Sequence, residues 1–188
     1  MHAPEIPTGE GHKGGFASRV ALGTAILAVA LAFASVGGNY MTKEMLLAQQ
    51  QASNQWAYYQ AKVIREHLYR VQGEQAELAL AERGSAMSRE TRQQAEASLR
   101  KYREEAARYN QEKREIQAEA ERLEKKRDLA MARDHNFDLA EVAFQVAIVL
   151  GSVTILSGSR KIFAASLAMG AVAALLTLNG FFLFAPLP

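Results

Sequence analysis

The chain has 188 residues, no cysteine, a hydrophobic share of 49%, and 22 basic against 20 acidic side chains. The absence of thiols excludes disulfide scaffolds, thiolate metal sites and cysteine nucleophiles, and the near-balance of charge excludes a field of one sign over the whole chain. Nearly all the charge lies between Lys43 and Asp138, so the average hides two materials: a charged middle and two apolar flanks.

Residues 1–19, with their Gly and Pro, read as a disordered tail. The run Gly9 to Gly15 lacks the spacing of a phosphate loop and has no strand before it. Residues 20–38, VALGTAILAVALAFASVGG, carry no charge and are long enough to cross a hydrocarbon layer of about 30 Å, which predicts a first transmembrane helix. A cleaved signal peptide is the alternative, since Lys13 and Arg19 precede the apolar run and Ala32-Phe33-Ala34 has the small-x-small form of a cleavage site. Either reading exports the charged middle of the chain.

Residues 41–135 contain no proline, only Gly73 and Gly84 as glycines, and abundant Ala, Glu, Gln, Arg, Leu and Lys, which predicts helix throughout. In the first half a seam runs through Ala57, Ala61, Ile64, Leu68, Val71, Gln75 and Leu78, with Gly73 marking a candidate bend. In the second half Ala95, Leu99, Tyr102, Ala106, Tyr109, Lys113, Ile116, Ala120, Leu123, Arg127 and Ala130 step by alternating threes and fours, broken only by Lys113 and Arg127. Two such seams imply two helices that face each other or copies of themselves. Between them Gly84 suits a left-handed helix stop, and Ser85 or Ser88 a following N-cap. The reading is therefore an antiparallel hairpin of helices over residues 42–83 and 86–135. Pairs such as Glu66 with Arg70, Glu104 with Arg108 and Glu121 with Lys125 give it a mixed-charge surface, unlike the basic stripe that binds nucleic acid.

Residues 138–158 and 162–185 are two more apolar runs, separated by Ser159, Arg160 and Lys161, and predict a second and a third transmembrane helix. Asp138 with Glu141 has the spacing of a capping box at the start of the second. Small residues four apart, Ala147 with Gly151 and Ser166 with Gly170 and Ala174, suit close helix packing. Lys13 and Arg19 before the first span, and Arg160 and Lys161 between the last two, place the N-terminus inside and the hairpin outside. The uncharged end, Pro186 to Pro188, then also falls outside. The fold class is all-α: three transmembrane helices with a long coiled-coil-like hairpin between the first and second.

The densest unusual patch is Asn54 to Lys62, which holds the only Trp. A reversal centred on Gly84 puts Trp56 opposite Lys113, whose ammonium would then lie over an aromatic ring. Trp56, Tyr58, Tyr59, Lys62 and Lys113 are accordingly the expected packing or partner surface. Glu141 and Gln145, four apart on one helical face, are the intramembrane polar candidates. No metal-ligand motif, calcium loop or nucleophile elbow occurs, and no cofactor is expected.

The stretch from Gly38 to Lys62 with its NQWAYYQAK core, and Phe137 to Leu156 with FQVAIVLGSVTIL, together resemble the membrane proteins grouped as the domain of unknown function family 4337. The resemblance implies a bacterial envelope protein and carries no activity with it. The expectation is a non-enzymatic scaffold in the bacterial inner membrane, its hairpin on the periplasmic side, with the lipid bilayer, copies of itself or other membrane proteins as partners. The alternative is a transport-associated subunit whose Glu141 and Gln145 face a polar path.

Overall fold

A computed structural model describes residues 11–185, with side chains from Gly15 onward. The expected tail over residues 1–10 and the end at Pro186–Pro188 lie outside the described residues. Three helices follow in order: α1 (Gly11–Arg83), α2 (Arg89–Ser157) and α3 (Arg160–Phe182). Residues 11–19, expected in the disordered tail, belong to α1.

The first span and the first hairpin arm are one helix, and so are the second arm and the second span. Nothing at the junctions obliges the chain to stop. Asn39, a residue that favours turns, donates its side-chain amide to the Ser35 carbonyl at 2.9 Å and so spends its polarity inside the helix. Asp138 lies well inside α2, where the backbone N–H groups already have partners, so the expected capping box with Glu141 does not form. At 73 and 69 residues these helices far exceed the roughly 20 residues that cross a bilayer. Each of the three nevertheless contains a segment long and apolar enough to cross a membrane.

Contacts divide the chain into two units, one drawn from residues up to Met45 and from Asp128 onward, the other Leu46–Arg127. In the first, the apolar segments of all three helices pack through small residues. Phe137 is wholly buried in a niche floored by glycines: a Cβ added at Gly37, Gly38 or Gly180 would stand 2.6, 3.1 or 2.9 Å from its atoms. Phe181 meets the same ring edge-on at 4.9 Å. A Cβ at Gly151 would strike Thr24 Oγ1 and one at Gly170 would strike Leu27, while Ser166 donates to the Ala147 carbonyl at 2.7 Å. Close approach of this kind holds helices together by dispersion where no solvent drives them. Of the expected small-residue positions Ala174 is exposed, and Ala173 takes the buried place. Polar links join the helices as well. Thr42 donates to Asp134 at 2.9 Å, and Asn179 donates to the fully buried Asn136 at 2.7 Å.

Helix α2 ends at Ser157, and the following Gly158, with a φ of +66°, is the left-handed stop expected at Gly84. Gly84 has no positive φ. Glycine is required there because a Cβ would come within 2.3 Å of the Leu80 carbonyl oxygen. Ser88 is the N-cap of α2, its Oγ accepting from the Thr91 N–H at 3.2 Å. Helix α3 starts at Arg160, earlier than residue 162, and stops at Phe182.

Candidate packing and partner surface

The second unit is an antiparallel pair, and its α2 seam is the expected one. Every seam position from Ala95 to Arg127 is buried or half-buried. The α1 seam is not. Ala57, Ala61, Ile64, Leu68, Gln75 and Leu78 are exposed and Val71 is only half-buried. The face turned to α2 instead carries Ala52, Tyr59, Lys62, Glu66, Tyr69 and Gly73. Aliphatic spacing misses it because Lys62 buries its stem while its ammonium finds Glu112, and Tyr69 packs its ring on Tyr109.

The expected register also shifts. The five residues Gly84 to Ser88 separate the arms, so the pairing centres beyond Gly84. Trp56 Nε1 donates to Glu124 at 3.0 Å rather than facing Lys113, and its ring meets Tyr59 edge-on at 5.5 Å. Among the described residues Lys113 lies over no ring; it donates to Glu66, which also accepts from Asn110 at 2.9 Å. Lys62 lies over two rings instead, 5.1 Å from the Tyr58 centroid and 5.0 Å from that of Tyr109, and donates to Glu112; Arg108 also lies over Tyr109, at 5.0 Å. Arg127, the second charge in the seam, donates to Gln49 at 2.8 Å. Tyr69 stacks on Tyr109 at 5.6 Å. Both charged interruptions of the α2 seam are thus answered from α1, by Glu66, expected to pair with Arg70, and by Gln49.

These contacts set the local electrostatics. The hydrogen bond from Lys113, then that from Asn110, holds Glu66 below the ordinary carboxylate value of 4.5. Glu112 is lowered likewise, first by its hydrogen bond from Lys62. Lys62 is held above 10.5 by Glu112 and then by Tyr58, against the opposing cost of desolvation. The expected helix pairs fare differently. Glu66 is taken by Lys113, Arg108 pairs with Glu105 and Glu112 rather than Glu104, and Glu121 accepts from Gln117.

Glu112 and Tyr69 are the site residues that sequence reasoning left out; Glu66 enters it only as a partner of Arg70, and Tyr109 only as a seam position. One signal was present: Lys62, Glu66, Tyr69 and Gly73 keep the same alternation of fours and threes as the aliphatic stripe, one helix face away. In the other unit Glu141 is half-buried, with Oε1 3.8 Å from a Cβ added at Gly38. Gln145 is exposed. The two share no hydrogen bond among the described residues.

No curated protein and no solved structure matches the chain. A family model described as a domain of unknown function, DUF4337, matches residues 16–183. That match takes in all but the ends of the three-helix architecture, and the chain belongs to this family.

Proposed function

We propose that this protein is a non-enzymatic, membrane-anchored scaffold of the bacterial inner membrane, its three apolar segments in the bilayer and its hairpin presented on the periplasmic side to copies of itself or to another membrane complex. The observation that carries the reading is how the hairpin spends its polar groups. Lys62, Glu66, Asn110, Glu112, Lys113 and Trp56 are engaged across the two arms, which stiffens the pair rather than lining a cleft. The groove between its arms, bordered by Tyr69, Gly73 and Tyr102, encloses about 170 Å³, below the roughly 300 Å³ at which small-molecule sites begin. Exposed apolar side chains on the first segment, Leu22, Ile26, Val29 and Phe33 among them, suit contact with lipid.

Native mass spectrometry of the full chain after mild detergent extraction tests this. Self-assembled species or a stoichiometric co-purifying protein is the expected result; a chain that stays monomeric and alone across detergents overturns it. The transport alternative makes a separate demand. Glu141→Gln should change ion flux in reconstituted vesicles while leaving assembly intact, and an unchanged flux removes it.

A further inference from the structure

The α1 arm carries the same fours-and-threes repeat on two opposite sides, one of lysine, glutamate and tyrosine and one aliphatic, and the hairpin uses the first. Lys62, Glu66, Tyr69 and Gly73 meet α2. Across the helix from them lies the stripe from Ala57 to Leu78, where Ile64, Leu68 and Leu78 are 68%, 53% and 58% exposed. Its steps of four and three repeat without a slip for three heptads, with Ala61, Leu68 and Gln75 at a positions and Ala57, Ile64, Val71 and Leu78 at d. Asn54 and Glu82 occupy the next a positions on either side and close it. An unbroken a/d row calls for a helix with the same repeat, and α2 lies on the other side.

We infer that this stripe is the seam of a parallel, in-register coiled coil with a second copy of this chain; the inference rests on the scaffold reading and names its partner. Gln75 identifies the occupant. It is the one polar residue in the row, and a buried amide facing only aliphatic groups costs about 1–3 kcal/mol. In a parallel, in-register pair Gln75 meets Gln75, and each carboxamide supplies the donor and acceptor that the other needs. A lone polar residue at an a position enforces such registers. An antiparallel pair of the same stripe sets Gln75 against aliphatic side chains, and so does an unrelated apolar helix. The flanks agree. In parallel register the g-to-e contacts are Gln60 with Arg65, His67 with Gln72 and Glu74 with Ala79, none of them a like-charge pair. Three heptads are short for a free coiled coil, but copies held in one membrane meet at high effective concentration.

The natural chain has no cysteine, so single substitutions report the seam in the full protein in nanodiscs. On mild oxidation Ile64→Cys and Leu68→Cys should form covalent dimers in several-fold higher yield than Arg70→Cys, which lies off the stripe. Mixing Ala57→Cys with Leu78→Cys copies should give each self-linked dimer but not the mixed one; a dominant mixed dimer means antiparallel pairing and overturns the proposal. Equal yields at the three single sites overturn it too, as does linkage to a different protein. Circular dichroism confirms that each variant keeps its helix content. Oligomers by native mass spectrometry without stripe-specific linkage sink this inference and leave the scaffold reading standing, whereas monomers alone sink both.

Discussion

The smallest contacts carry the sharpest consequences. Phe137 fits only because Gly37, Gly38 and Gly180 leave room for its ring, so a methyl group at position 37 has nowhere to go. Gly37→Ala should lower stability by about 1–3 kcal/mol through overpacking, and Phe137→Leu should recover part of that loss. A double-mutant cycle on thermal unfolding in detergent checks the coupling; additive effects would refute the niche. The Glu66 and Glu112 carboxyls are held below 4.5, so their stabilisation of the hairpin is present above that pH and fades as pH falls through their lowered values. Lys62 is shifted the other way, so its contribution is present below 10.5 and fades as pH rises through its raised value. Trp56, the only tryptophan, lies in this unit and reports both limbs by fluorescence. Glu66→Gln should shrink the acid limb to the part that Glu112 supplies and leave the alkaline limb in place, and an unaltered acid limb would show that Glu66 has no such role.

At the scale of a helix, the two hairpin glycines separate cleanly. A Cβ at Gly73 would meet Tyr102 and Leu99 at 3.7 and 3.9 Å, ordinary contact distances, inside an unbroken helix. Gly73→Ala should therefore raise stability by about 0.5–1 kcal/mol, the backbone freedom that glycine loses in a helix. Gly84→Ala drives a carbon against the Leu80 carbonyl and should destabilise the reversal. Opposite shifts in melting temperature are expected; a loss at position 73 would mean that the arms cannot yield there. The register is equally checkable. Paired cysteines at 66 and 110 should link within one chain, since Asn110 donates to Glu66, while a pair at 56 and 113 should not, because Trp56 faces Glu124.

For the molecule as a whole, the proposed topology sets the hairpin reversal and the turn between α2 and α3 on opposite sides of the bilayer. A membrane-impermeant thiol reagent applied to intact spheroplasts should label Ser85→Cys directly, and Ser157→Cys only after permeabilisation. The reverse pattern would invert the topology and move the hairpin to the cytoplasmic side. Two units of contrasting character, an apolar three-helix cluster and a charged two-helix hairpin, also suit different stability probes. Detergent choice should shift the melting of the first more than that of the second, which Trp56 fluorescence set beside total helicity would resolve.

Composition and periodicity alone determined that the charged middle of the chain is helical, where the chain is apolar enough to cross a membrane, roughly where it reverses, and which face of α2 packs from Ala95 to Arg127. These properties are local: propensity, run length and the 3.6-residue repeat act within a few turns of one helix. Only the structure decided that the apolar segments run on into the hairpin arms without a break, that Gly158 and not Gly84 takes the left-handed stop, and that Lys113 answers Glu66 while Lys62 covers the tyrosines. The last two outcomes depend on which residue stands across the gap. On α1, where one face is aliphatic and the opposite face is built of lysine, glutamate and tyrosine, the repeat fits both. The partner helix chose the amphipathic face because its own seam carries Lys113 and Arg127, whose charges aliphatic side chains could not have satisfied.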